Sequence, residues 1–187
     1  MRRIVVALSG ASGAIYGIRA LEMLRAVDDI ETHLVMSSAG KITVGVETDL
    51  TPADVELLAD HVHGSRDIAA PISSGSYKTA GMIVAPCSIK SLSAIANSYS
   101  ADLIARAADV TLKERRPLVL MVRETPLHLG HLRLMERATE SGALIYPPVP
   151  AFYNDPTSLD DVVTHTVGRA LEHLGVDVDD LDRWHGG

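Results

Sequence analysis

Cysteine and aromatic rings are scarce in this 187-residue chain, which has one cysteine, one tryptophan, one phenylalanine and 4% aromatics overall. A lone Cys87 excludes an internal disulfide and any multi-cysteine metal site, and it fits a reducing compartment. The eight histidines show no HExxH or other metal-ligand spacing, so no metal is expected. No apolar run approaches the ~20 residues of a membrane span. Cations are in deficit, 17 Lys and Arg against 24 Asp and Glu. The resulting charge of −7 argues against binding the nucleic-acid backbone. The opening MRRIVV runs directly into a strand and leaves no room for a signal peptide, so a cytoplasmic protein is expected.

What the chain does have is alternation. The apolar runs RIVVAL, ETHLVM, GMIVAP, PLVLMV and ALIY read as five strands, separated by helical patterns. Thr51-Pro52 opens a helix over 52–60, Ser88 another, and Ser158 with Asp161 a last one over 159–174. A helix over 101–116 ends at Pro117 and one over 127–141 follows. Strands apolar throughout need cover on both faces. The expectation is therefore an α/β chain: a single doubly wound domain of the Rossmann or flavodoxin kind, with a mostly parallel sheet. It spans residues 1–187, with an acidic tail from about 176 expected to hang loose. Ligands of such sheets bind beyond the carboxyl ends of the strands, which directs attention to 9–13, 37–47, 86–91, 123–126 and 147–154.

Two of these segments, and one turn outside them, are rich in small residues or hydroxyls. SGASG (Ser9 to Gly13) sits between strand and helix, where free N–H groups and the helix dipole favour a phosphate. Its glycine spacing is not that of a NAD fingerprint, and a ligand-free tight turn would also use it. PCSIKS repeats the arrangement, with Ser88 as N-cap and Ser91 one turn on. Cys87 reads as packing, since no partner base is identifiable. SSGS (Ser73 to Ser76) is by itself only a turn.

Charge is patterned too. Asp102, Arg106, Asp109 and Lys113 fall on one helix face, which reads as two i,i+4 acid–base pairs on a solvated stripe or as a functional surface. Arg123 and Glu124 follow a strand end, and Glu124 and Glu47 are candidate proton-transfer carboxylates or ordinary surface charges. YPPVPAFYN is a proline-stiffened loop carrying Phe152 and Tyr153, suited to walling a site or packing on a neighbour. Arg169 lies away from its helix's apolar stripe of Val163, Val167, Ala170 and Leu174. There is no DDxxD cluster to hold magnesium on a diphosphate.

Taken in order, GASGAIYG, ETD at 47–49, SGS at 74–76, PCS, LIARAADVTLKERRPLVLMVRETPL and PPVPAFYNDP resemble the flavin prenyltransferases. These are the UbiX/Pad family within the flavin-containing cysteine-decarboxylase-like fold. The likeness runs from the first strand to about Trp184. It implies a homo-oligomer, usually a dodecamer, that joins a dimethylallyl group from dimethylallyl phosphate to N5 and C6 of reduced FMN. The product, prenylated FMN, would serve a UbiD-type decarboxylase. By the same resemblance Gly10, Ala11, Ser12, Ser37, Ser88, Ile89, Lys90, Ser91 and Arg123 hold FMN. Tyr153, Arg169, Arg106, Lys113 and Ser74 hold the prenyl phosphate. Glu47 and Glu124 transfer protons, with Lys113 and Ser12 also catalytic, and no metal takes part. Ser9 stands where many relatives have Thr, and Ile68 where some place a tryptophan.

Two rival readings differ in class. An FMN-dependent cysteine-type decarboxylase of the same fold would leave Lys113 and Arg169 without purpose, and its PxMN-type clamp motif is missing. A non-catalytic flavin-binding subunit of a phenolic-acid decarboxylase would not need both carboxylates.

Overall fold

Six strands, one more than expected, form the sheet of the computed structural model, which describes residues 1–178. They are β1 (Arg2–Leu8), β2 (Ile30–Met36), β3 (His61–Gly64), β4 (Gly81–Cys87), β5 (Leu118–Val122) and β6 (Leu144–Ile145). All pairs are parallel, in the order β3-β2-β1-β4-β5-β6. Seven α-helices connect and flank the strands among the described residues: α1 (Ala14–Arg25), α2 (Ser38–Glu47), α3 (Pro52–Glu56), α4 (Ile89–Ala96), α5 (Leu103–Lys113), α6 (Leu129–Glu140) and α7 (Leu159–Glu172).

The double winding follows from the strands themselves. Ile4, Val6 and Leu8 of β1 pack with the buried faces of α1 and α7, while Val5 and Ala7 face the residues of α4 and α5. Every residue from Ile4 to Leu8 is at most 1% exposed, so β1 is a central strand covered on both sides. Order reverses between β1 and β4, and a crevice opens at such a switch point beyond the carboxyl ends.

Two elements escape the periodicity. The run that forms α2 carries Gly40, Gly45, Thr43, Val44 and Val46, poor helix formers all. It is held by the Ser37 cap, whose Oγ accepts the Gly40 N–H at 2.9 Å, and by close approach to β1. A Cβ on Gly40 would lie 2.5 Å from the Leu8 carbonyl oxygen. The HVHG of β3 is too short and polar to read as a strand, and it forms by pairing His33 with His61 and Val35 with His63.

Other boundaries move for local reasons. The Asp102 carboxylate accepts the Ala105 N–H at 2.9 Å and so caps α5 instead of pairing with Arg106. Arg106 pairs with Asp109 at 3.0 Å and Lys113 with Glu114, so the expected i,i+4 pairs do not form. The helix stops at Lys113, ahead of Pro117, where Arg115 turns left-handed at φ 58°. α3 ends at Glu56, short of residue 60. The tail is docked at its start: Val176 is 1% exposed and Arg2 donates to the Gly175 carbonyl at 2.6 Å. The rest of the acidic tail, with Trp184, lies outside the described residues. No described helix is long and apolar enough to cross a membrane.

A close approach of α1 to the sheet makes a test. A Cβ on Gly17 would stand 2.2 Å from the Ala85 carbonyl oxygen and 2.6 Å from Leu8 Cγ. Gly17→Ala is expected to lower the unfolding free energy by about 1–3 kcal/mol, read from urea denaturation. An unchanged midpoint would contradict this packing of α1 on β4.

Candidate functional site

Ser9 closes the crevice floor between β1 and β4. Its hydroxyl, 1% exposed, donates to the Pro86 carbonyl at 2.8 Å and accepts the Ser88 N–H at 2.8 Å. Beyond it the chain must pass very close to α2, since a Cβ on Gly10 would meet that of Ala39 at 2.3 Å. Gly13 then takes φ 103°, a left-handed conformation that suits glycine, and starts α1. The small residues are there because backbones crowd, and because the crowding leaves a cavity above them.

Two cavities meet at Gly10 and Ser88. The larger, about 480 Å³, lies between the β1, β4 and β5 ends and is lined by Ala11, Ser12, Ile89, Val122, Arg123, Glu124, Thr125, Pro147 and Pro148 as well. The smaller, about 340 Å³, is ringed by Ser37, Ser38, Ser65, Arg66, Lys90, Ser91 and Asp102 among others. One is mixed apolar and polar, as a flat ring needs. The other has hydroxyls, two cations and the N-termini of α2 and α4, whose caps Ser37 and Ser88 accept the Gly40 and Ser91 N–H groups. That donor set suits a phosphate.

The charged groups are ordered around the turn after β1. Glu47 Oε2 accepts the Gly13 N–H at 2.7 Å and the Ala14 N–H at 3.0 Å, at the positive end of α1. Burial works to raise its pKa, but the Ser12 hydroxyl, those two N–H groups and nearby Arg123 outweigh it and lower the value. Glu47 is thus held ionised, outside the lining of either cavity. Arg123 Nε donates to the Ser12 carbonyl at 3.1 Å. Glu124 lines the larger cavity and accepts the Thr125 N–H at 3.0 Å. Cys87 is wholly buried, its thiol pushed up to about 12 by desolvation, so it is packing and no nucleophile at neutral pH.

One chain does not gather every candidate. Gly10, Ala11, Ser12, Ser37, Ser88, Ile89, Lys90, Ser91, Arg123 and Glu124 all border the paired cavities. Ser74, Arg106 and Lys113 form a separate surface: Arg106 donates to the Ser73 carbonyl at 3.1 Å, and Gly75 abuts Lys113 Nζ. Asp102 at the start of α5 lines the smaller cavity, whereas Lys113 is eleven residues on, about 16 Å along the helix. Tyr153 and Arg169 line neither cavity but both act electrostatically on Tyr146, which precedes Pro147 of the larger cavity's wall; Tyr153 is 3.4 Å from His165 and Arg169 pairs with Glu172. Ile68 is 70% exposed.

Arg66 and Ser65 went unnoticed in the sequence, and the reason is topological. They follow β3, and a strand not recognised has no carboxyl end to search. Asp102 was legible as a charge yet not as cavity lining, and Ser38 was missed with the helix it starts.

The Flavoprotein family model matches residues 1–168. Flavin prenyltransferase UbiX of Escherichia coli strain K12 is 61% identical over 188 aligned residues, covering 100% of both chains. Among solved structures, AnUbiX (PadA1) in complex with FMN and dimethylallyl pyrophosphate superposes at TM-score 0.97 with 53% identity, covering 100% of this chain and 98% of that one. A dodecameric FMN-dependent Ubix-like decarboxylase from Escherichia coli O157:H7 gives TM-score 0.96 with 47% identity and full coverage of both chains. With the crevice, the paired cavities and identity of this extent in agreement, the chain belongs to the UbiX flavin prenyltransferases of the flavoprotein family.

Proposed function

We propose that this chain transfers the dimethylallyl group of dimethylallyl phosphate to N5 and C6 of reduced FMN, with the flavin laid across the two cavities. The supporting observation is the junction of a mixed cavity with a hydroxyl- and cation-lined one at Gly10 and Ser88, in a chain with full-length likeness to flavin prenyltransferases. Gly10 borders both cavities, and a Cβ there would collide with Ala39 Cβ at 2.3 Å, so only glycine lets the turn sit this close to α2. The FMN phosphate is assigned to Ser37, Lys90, Ser91 and the N-termini of α2 and α4. The ring is assigned to Ala11, Ser12, Ile89 and Arg123. Reduced flavin supplies a nucleophilic N5 and a ring carbon that can be alkylated.

Leaving-group chemistry decides the other roles. Departure of an allylic phosphate places negative charge on phosphate and positive charge on the allyl group. Without a DDxxD cluster for magnesium, the charge is assigned to Arg106, Lys113, Tyr153 and Arg169, with Ser74 beside them. That choice favours the monophosphate donor, although the solved relative was captured with dimethylallyl pyrophosphate. Closing the ring at C6 requires a base, and Glu124 at the cavity wall takes that role. Glu47, ionised, engaged by two N–H groups and outside the lining of both cavities, is assigned to holding the Ser12 turn instead of the proton transfer that the resemblance implies.

Because the cationic residues lie apart within one chain, we assign the complete site to contacts between copies. Apolar surface supports this: Leu129, Leu132, Val149 and Phe152 are 59, 49, 72 and 78% exposed. A dodecamer, as named for one solved relative, is the assembly proposed. Delivery of prenylated FMN to a UbiD-type decarboxylase, in the cytoplasm, completes the reading. Neither the cysteine-type decarboxylase nor the non-catalytic flavin-binding role receives support from a specific residue.

Three variants test these roles. Lys113→Ala should keep FMN binding while turnover of dimethylallyl phosphate falls about ten- to a hundredfold, the scale of one charge-assisted contact. Glu124→Gln should bind both substrates and stall, accumulating a singly attached prenyl-flavin visible by mass spectrometry. Parental turnover in both would remove the mechanism. Glu47→Gln should lower stability by about 0.5–2 kcal/mol at neutral pH, as loss of a helix cap does. A carboxyl with a lowered pKa stabilises above its ordinary range and loses that contribution as pH falls through the lowered value. The gap between parent and Glu47→Gln in urea denaturation should therefore close in acid, and a gap independent of pH would contradict the cap.

A further inference from the structure

Away from the flavin crevice, β2 and β3 bring three histidines and a glutamate onto one sheet face. Parallel register sets His61 beside His33 and His63 beside Val35, and Glu31 precedes His33 by the two residues that keep it on the same face. Glu31 Oε1 lies 3.0 Å from His33 Nε2 and 3.6 Å from His61 Nε2. One ligand atom from each of the three falls within 4.8 Å of the others.

We propose that Glu31, His33 and His61 bind one divalent late first-row cation, with Zn²⁺ the best fit. Zinc takes imidazole nitrogen and carboxylate oxygen at about 2.0–2.2 Å, which puts tetrahedral ligand atoms about 3.3–3.6 Å apart. The observed separations bracket that value. His33 is 2% exposed and both its ring nitrogens face ligating groups, for Nδ1 is 2.9 Å from His63 Nε2. A ligating histidine commonly hands its second nitrogen to such a support, which fixes the ring and its tautomer. The Tyr77 hydroxyl, 3.3 Å from Glu31 Oε1 and 3.2 Å from His33 Nε2, bonds these ligand atoms while the site is empty and is displaced when the ion binds. Arg3 Nε shares Oε1 at 2.9 Å, and a turn of the carboxylate passes it to the other oxygen. His61, with its side chain 52% exposed, gives the ion a path from solvent and leaves a fourth position for water.

The ion would serve structure, not prenyl transfer. His33 precedes Met36, the last residue of β2, by three positions, about 10 Å from the carboxyl edge. Metal here would pin β3, a four-residue edge strand bonded only to β2, and with it the following Ser65 and Arg66 of the smaller cavity. No sequence spacing announces it, because the ligands come from two strands joined by register.

Chelator-treated full-length protein, dialysed and titrated with Co²⁺ and then Zn²⁺, decides the matter. The expected result is one Co²⁺ per chain with the intense visible absorption of a four-coordinate site, bleached by Zn²⁺, and a higher unfolding midpoint with Zn²⁺. His61→Ala should fold like the parent without metal and bind more than about a hundredfold more weakly, while His63→Ala costs about ten- to a hundredfold. No stoichiometric uptake by the parent would overturn the proposal, as would uptake that His61→Ala leaves unchanged.

Discussion

Between the diverging ends of β1 and β4, the hydroxyl of Ser9 donates to one backbone group and accepts from another. Strand order reverses at this point, and the Ser88 N–H, past the last backbone bond between the two strands, is paired by this side chain instead. Without the hydroxyl, the Ser88 N–H would lose its partner, at about 1–3 kcal/mol for a buried unsatisfied group. The Pro86 carbonyl would keep only the Ser9 N–H, at 3.2 Å. The position of Ser88 also sets the start of α4, and the turn after Ser9 sets the start of α1. Both cavities share Ser88 and Gly10, so the geometry of the site descends from this one junction.

Crowding at the junction explains the run of small residues after β1. Gly10 clears Ala39 of α2, Gly40 clears the Leu8 carbonyl, and Gly17 clears the Ala85 carbonyl. Two helices are drawn in against the ends of two strands, and small residues at the contacts are what permit it. Glu47 then closes the arrangement from the far end of α2, spanning to the N-terminus of α1. A carboxylate at a helix start is stabilising in itself, and here it also immobilises the Ser12 turn.

The central strands were legible because they are apolar on both faces, a pattern with one physical solution. So were the caps at Thr51, Ser88 and Ser158, where a hydroxyl precedes a helical pattern. Ser37 was not, since the glycines and β-branched residues of α2 hide the helix it caps. β3 was not legible either, because four polar-flanked residues become a strand only by docking on β2, and the cavity contribution of Arg66 was lost with it. The pairing on α5 misled for a related reason. Asp102 satisfies an unpaired helix N–H before it can reach Arg106, since the cap serves a backbone donor that has no other intrahelical partner.

Charge and apolar surface point to the same conclusion. The flavin-sized cavities hold few of the cations that a departing phosphate needs, and Lys113 sits a helix length away from them. Meanwhile α6 buries only Ala138 and exposes Leu129 and Leu132. Assembly would cover the one and supply the other, and under the proposed function a working centre would take its flavin cradle from one copy and its phosphate clamp from others. The most direct measurement mixes two impaired variants, Lys113→Ala and Glu124→Gln, under conditions that let subunits exchange. If centres are shared, some centres in the mixed assemblies combine an intact clamp with an intact Glu124, and prenyl transfer to FMN returns. If every chain carries a complete centre of its own, the mixture stays as impaired as its parts, and the account fails.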